Sequence, residues 1–392
     1  MKSNNKNPSP EIHFADRPEG LTAHRAPMPA LTGLRFFAAA YVVLFHSHLS
    51  SALKESGWPA AGQFLANGSF AVLLFFLLSG LILSYTYEGQ IGTASRNRRF
   101  WEARFSRIWP LYVVSLLLGS LVYHGTPALP VAAATLLMVQ SWNPFDLYMA
   151  GAWNYVCWTL SVEALFYLIF PFVQRWLQER STRVQSGVLL GALALTVAGH
   201  TGVHGFGYPV SGVFRFLPLA IVRIPDFLTG VCMGNLYLRR LEKRSPGFPI
   251  VRSFGLATWT GLCLSIYLLC HEEGWRTACS GVAFALFLAG ITLEDTSLKR
   301  ILSLKPVQVG GQISFAMYLL QWPCKMGVNQ LATHLGIPSQ SIRFIADLTI
   351  LLLLSAICYY SIEVPARHVL RSAFARLEAK KQTSAKTAGA LR

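Results

Sequence analysis

Apolar residues gather in ten windows of about 17 to 22 positions, the length that predicts a membrane-crossing helix. They run at 32–51, 68–87, 108–124, 156–174, 184–200, 220–238, 254–270, 276–293, 310–329 and 343–362, with the polar residues collected between them. An eleventh apolar piece, Val131 to Val139, is too short to cross. It predicts a re-entrant or interfacial segment on one side, because an extra crossing breaks the charge alternation that follows. The pattern predicts an all-α, polytopic membrane protein of about ten transmembrane helices. Residues 1–30 form a cytoplasmic N-terminal segment, 31–367 the membrane domain, and 368–392 a cytoplasmic tail, rich in Lys, Ala and Thr and expected to be disordered.

Composition agrees. Of 392 residues 53% are hydrophobic and 13% charged, against about 25% charged in soluble domains. Too little charge is present to cover a water-facing surface, which excludes a soluble enzyme, a secreted disulfide scaffold and a disordered chain. The net charge of +16 would suggest nucleic acid in a soluble protein. Here 27 of the 34 Lys and Arg residues fall in segments 1–31, 88–107, 175–183, 239–252, 294–306 and 364–392. That one-sided placement predicts both termini in the cytoplasm, in a cell (inner or plasma) membrane, and leaves no compact basic module for nucleic acid. The first thirty residues are polar, so the first window is expected to be a signal anchor rather than a cleaved leader. The seven cysteines show no metal-ligand spacing, and no metal is expected. Cys270 and Cys279 bracket a short outer loop, where they either bridge or act as small apolar helix residues.

Ionisable groups inside spans are costly and point to function. In the first window Arg35 and His46 are eleven positions apart, which places them on one helix face about 16 Å apart along the axis; His48 falls on another face. Ser79 and Gly80, in the second, serve either close helix packing or the approach of a substrate to the backbone. Arg104 and Arg107 stand one turn apart before Pro110, as membrane anchors or as a bidentate site for phosphates. Glu163 lies about two turns into the fourth window, at a depth matching His46, so a Glu–His contact is open to it, as is a role satisfying some other polar neighbour. Arg223 and Asp226, at i, i+3, read as a local ion pair. Glu363, near the cytoplasmic face before Pro365, suits a structural ion pair with Arg104 or Arg107.

Together these stretches resemble the acyltransferase-3 family of polytopic membrane O-acyltransferases, from Leu31 to Arg367. The resemblance is carried by Arg35 and His46, ten residues intervening; by Phe75, Phe76, Ser79 and Gly80; by Arg104 and Arg107 in EARFSRIWP; by Trp158, Ser161 and Glu163 in WTLSVE; and by Glu363 and Pro365. Two positions depart from the family pattern. Ala164 stands where a second acidic residue is common, and Gln321 where many members carry His, so catalysis is expected to need neither second group.

The resemblance implies transfer of an acyl group, most often acetyl, from acyl-coenzyme A to a hydroxyl of a carbohydrate, glycolipid or glycosylated small molecule. It implies catalytic roles for His46 and Glu163, acyl-coenzyme A binding by Arg35, Arg104, Arg107, Ser79 and Gly80, acceptor binding by Trp158 and Ser161, and structural support from Glu363. The competing class is a secondary transporter of a small anionic or sugar-like solute. Transporters of that kind show repeated halves with interrupted helices in corresponding places, and residues 31–200 and 201–367 show no such correspondence.

Overall fold

The structure, a computed structural model, describes residues 26–123, 125, 127–143, 151–201, 203–204, 208–209, 216–242, 255–272 and 274–390. Residues 1–25 of the expected N-terminal segment lie outside them. The first helices are α1 (Pro29–Phe45), α2 (Leu49–Glu55), α3 (Pro59–Ala66), α4 (Phe70–Thr86), α5 (Ala94–Val122) and α6 (Leu129–Leu136). The middle of the chain forms α7 (Trp158–Gln178), α8 (Thr182–His200), α9 (Leu219–Val222), α10 (Ile224–Glu242), α11 (Leu256–Leu269), α12 (Trp275–Ala278) and α13 (Ser280–Leu293). Then come α14 (Ser297–Leu302), α15 (Lys305–His334), α16 (Gln340–Cys358) and α17 (Val364–Ala390). A π-helical turn, Tyr359–Glu363, joins the last two. The one strand pairing among the described residues is a two-residue antiparallel bridge between Val203–His204 and Tyr208–Pro209.

Each of the ten apolar windows falls on a helix, but not all of these helices are built to cross alone. Among the described residues six are long and apolar enough, or up to eight when two bent pairs are each taken as one span. Helix α11 has only 14 residues, about 21 Å at 1.5 Å per residue. Helix α15 has the length, with 30 residues, but its Gln308, Gln312, Gln321 and Lys325 dilute its apolar character.

The first window is not one continuous helix. Helix α1 ends at Phe45, and α2 departs from it by 68°. Ser47 marks the break: its Oγ donates to the Leu44 carbonyl at 2.6 Å and accepts from the Leu49 N–H at 3.2 Å, diverting backbone groups from the helical ladder. His46 still donates its N–H to the Val42 carbonyl, so it keeps the phase of α1 and caps its end.

Close packing of α4 on α10 sets the centre of the bundle. A Cβ on Gly80 would lie 2.2 Å from the Phe227 carbonyl oxygen, and one on Gly230 2.0 Å from that of Leu77. Small residues at these crossings let the two backbones touch, as is usual between membrane helices. Ser84 Oγ adds a hydrogen bond to the Val231 carbonyl at 3.2 Å. A reciprocal amide pair, Gln174 with Asn235, ties α7 to α10.

The short apolar piece at 131–139 forms α6 and the turn after it, docked onto the start of α7. Tyr112 donates to the Thr135 carbonyl at 2.6 Å, Ser141 Oγ to Trp158 O at 3.0 Å and Trp142 Nε1 to Ser161 O at 2.9 Å. Residues 368–390, expected to be disordered, continue α17 instead. Ala, Lys, Arg, Leu and Glu favour helix there, and Glu378 docks against Arg99 at 2.9 Å and Ser95 at 3.3 Å. Cys270 and Cys279 are both free.

Candidate active site

Two cavities lie within the bundle, separated by a wall of three residues. The inner one, about 820 Å³, is lined by Arg35 of α1, Ser79 of α4, Arg104 and Arg107 of α5, and Glu163 and Tyr167 of α7. The other, about 560 Å³, contains His46, Tyr155 and Trp158. Val72, Phe76 and Tyr318 line both cavities and form the wall between them. Tyr318 is fixed there by Thr159, whose Oγ1 lies 2.9 Å from its hydroxyl. The common helix face expected for Arg35 and His46 therefore places one in each chamber.

The inner chamber gathers three guanidinium groups around one carboxylate. Arg104 is buried, donates from Nη2 to the Tyr87 hydroxyl at 3.1 Å, and has its guanidinium carbon 5.4 Å from the Tyr87 ring centre and 5.9 Å from that of Tyr167. Glu163 accepts from Ser79 Oγ at 3.2 Å and from the Tyr167 hydroxyl. Tyr167 thus touches both the carboxylate and the buried arginine. Its position four residues after Glu163, one helical turn on, was the sequence signal for it.

His46 does not bond Glu163. Its Nδ1 lies 3.1 Å from Gln321 Oε1 on α15, and Glu163 is turned into the other chamber. Gln321, standing where many family members carry His, is thus the residue that meets the imidazole. Matching depth along two helices did not settle which side chain meets which, because rotation about the helix axis decides that. The His46 ring also packs edge-on against Tyr155 at 5.8 Å and Trp322 at 6.0 Å, and its carbonyl accepts from the Lys325 ammonium.

Two expected site residues line neither cavity. Ser161 is fully buried, and its Oγ accepts from the Ser141 N–H at 3.0 Å, anchoring the segment after α6. Gly80 is turned toward α10, where its missing side chain serves helix packing. Glu363 pairs with Arg367 on the next turn, both buried. The Arg223–Asp226 pair is present at 3.9 Å, but it is part of a larger cluster. His200 Nε2 sits between them, 2.6 Å from Arg223 Nη1 and 3.0 Å from Asp226 Oδ2, and His200 and Arg223 line the His46 chamber. His200 was not legible as part of this group, since it ends α8 and is joined to the pair only by helix packing. No group of three or more potential metal ligands occurs among the described residues.

The acyltransferase-3 profile, described as an acyltransferase domain, matches residues 28–363. The chain belongs to that family. Among curated proteins it is similar to Acyltransferase MdmB of Streptomyces mycarofaciens, 29% identical over 313 residues that cover 75% of this chain and 78% of that protein. It is similar to O-acetyltransferase OatA of Staphylococcus aureus (strain MRSA252), 24% identical over 383 residues, 92% of this chain and 60% of that protein. Peptidoglycan O-acetyltransferase OatA of Listeria monocytogenes serovar 1/2a (strain ATCC BAA-679 / EGD-e) is 24% identical over 320 residues, 76% of this chain and 49% of that protein. The chain thus spans about half to three-fifths of the length of the two OatA proteins. No solved structure matches it. With its apolar helices, the family membership makes this a multi-pass membrane acyltransferase.

Proposed function

We propose that the protein is an O-acyltransferase that moves an acyl group, most often acetyl, from cytoplasmic acyl-coenzyme A to a hydroxyl of a carbohydrate or glycosylated acceptor. The observation that carries this reading is the pair of chambers: a basic one holding Arg35, Arg104 and Arg107, and next to it one holding His46. Guanidinium groups bind phosphate oxygens by paired donors, which suits the inner chamber to the coenzyme A phosphates. The pantetheine arm then passes Ser79 toward the wall of Val72, Phe76 and Tyr318, and the thioester meets His46 beyond it. The names of the relatives support O-acyl transfer. The distribution of basic residues supports ten crossings with both termini in the cytoplasm of a plasma or inner membrane.

In this reading His46 is a general base. Gln321 Nε2 donates to the Tyr318 carbonyl at 2.8 Å, which fixes the amide so that its oxygen faces His46. An amide oxygen only accepts, so Nδ1 carries the imidazole proton and Nε2 keeps the basic lone pair. Nε2 takes the proton from the acceptor hydroxyl, whose oxygen attacks the thioester carbonyl carbon. The C–S bond breaks, and the imidazolium returns the proton to the departing thiolate. Glu163 acts as a positioning residue on the donor side, holding Tyr167 beside Arg104.

The test is incubation of membranes containing the protein with labelled acetyl-coenzyme A, with and without candidate sugars. Label appearing in sugar product supports the reading. Absence of both donor binding and transfer overturns it.

A further inference from the structure

Three groups on one stretch of α15 converge on His46. Gln321 Oε1 lies 3.1 Å from the imidazole Nδ1, the Trp322 ring packs edge-on at 6.0 Å, and the Lys325 ammonium donates to the His46 carbonyl. Positions 321, 322 and 325 fall within an arc of about 100° on the helix. The first two contacts hold the ring, whereas the third holds the backbone that carries it.

The His46 carbonyl lies where such a contact matters. Helix α1 ends at Phe45, and the last carbonyls of a helix have no partner within it. Ser47 takes the Leu44 carbonyl, and Lys325 takes that of His46 at the 68° bend into α2. A cation suits the negative end of a helix. Lys325 is half-buried within an apolar window, a placement that is costly and points to function. Its ammonium is also 5.9 Å from the Trp322 ring centre and faces the Asp347 carboxylate of α16.

Helix α15 is itself anchored at this level. Pro323 offers no N–H to the Leu319 carbonyl, and the buried Asn154 donates to that carbonyl from Nδ2 at 2.9 Å. The next residue, Tyr155, stacks on Trp322 at 4.8 Å and meets the His46 ring edge-on at 5.8 Å. Lys325, two residues beyond Pro323, therefore extends from a fixed part of the helix.

We propose that Lys325 is a positioning residue for acyl transfer: by holding the end of α1, it keeps the His46 imidazole on Gln321. The proposal rests on the reading of His46 as the base, but its first measurement needs neither donor nor acceptor. Nitrogen NMR on the full-length protein in nanodiscs, carrying isotope-labelled histidine, reads the tautomer of His46, whose signals are those lost in His46→Ala. The parent should show the Nδ1-protonated form alone. Lys325→Met, which keeps the stem and removes the donor, should show both tautomers, and Lys325→Arg should restore the single one. Elution and melting like the parent's separate this from a loss of fold. Should the single variant not fold, Lys325→Met/Asp347→Asn repeats the measurement with both charges removed. Consumption of labelled acetyl-coenzyme A should fall about tenfold to a hundredfold in Lys325→Met, the scale of a misplaced reacting group, with donor Kd unchanged, and should recover in Lys325→Arg. A single tautomer in Lys325→Met overturns the proposal, and so does parental turnover there when His46→Ala is inactive. An active His46→Ala rejects the base reading instead.

Discussion

The Nδ1 of His46 lies 3.1 Å from Gln321 Oε1, and Gln321 Nε2 donates to the Tyr318 carbonyl. The amide therefore has one orientation, and it dictates the tautomer of the imidazole. Tyr318 is also a wall residue shared by the two chambers, so Gln321, which orients the imidazole, is anchored to the partition between them.

Gln321→Leu is expected to lower kcat without changing acyl-coenzyme A affinity, because the imidazole loses its acceptor and its fixed tautomer. The loss should reach about 10²-fold, the lower end of what acid–base catalysis contributes. Gln321→His, which keeps an accepting nitrogen, should recover most of it. Steady-state kinetics on the two variants decide this; an active Gln321→Leu enzyme removes Gln321 from the mechanism.

His46→Ala should lose about 10² to 10⁴-fold in transfer rate while eluting and melting as the parent protein does. Retained turnover would exclude His46 from the chemistry altogether. A quenched-flow search for acyl-labelled protein separates the general base from an acyl-carrying histidine, since only the second forms a covalent intermediate.

Arg104→Ala and Arg107→Ala should each weaken acyl-coenzyme A binding by about tenfold to a hundredfold, the loss of one charge-assisted hydrogen bond of about 1.5–3 kcal/mol. Acceptor affinity should stay unchanged. Equilibrium binding of labelled acetyl-coenzyme A measures the effect, and an unaltered donor Kd in both variants is the contrary result.

Gly80→Val should destabilise the bundle by about 1–3 kcal/mol through overpacking, because its side chain would run into the Phe227 carbonyl. Ser161→Ala should also lower the melting temperature, through loss of the bond from Ser141. Neither should change donor affinity in the fraction that stays folded. A selective rise in donor Kd for Gly80→Val, with the melting temperature intact, would return Gly80 to the donor site.

Much of the fold was legible in the chain. Each apolar window lies on a helix, and the short piece at 131–139 is a docked helical segment rather than a crossing. The break at His46 was not legible, since Ser47 acts through hydrogen bonds that a run of apolar neighbours does not betray. The helical course of 368–390 was missed for a different reason: its polar composition looked like a solvated tail, while the docking of Glu378 on Arg99 depends on a helix far away in sequence.

The site divides in the same way. Local sequence alone singled out Arg35, His46 and Glu163, because a charge or imidazole in an apolar run stands out whatever its neighbours, and Arg104 and Arg107 as a basic pair one turn apart just before Pro110; all five line the chambers. Tertiary structure decided which of them meet. Glu163 went to Ser79 and Tyr167, His46 to Gln321, and Arg223 and Asp226 to His200. Spacing along a helix sets height and relative face, but the rotation of one helix against another is set by close contacts such as Gly80 on Phe227 and Gly230 on Leu77, and these join residues about 150 positions apart.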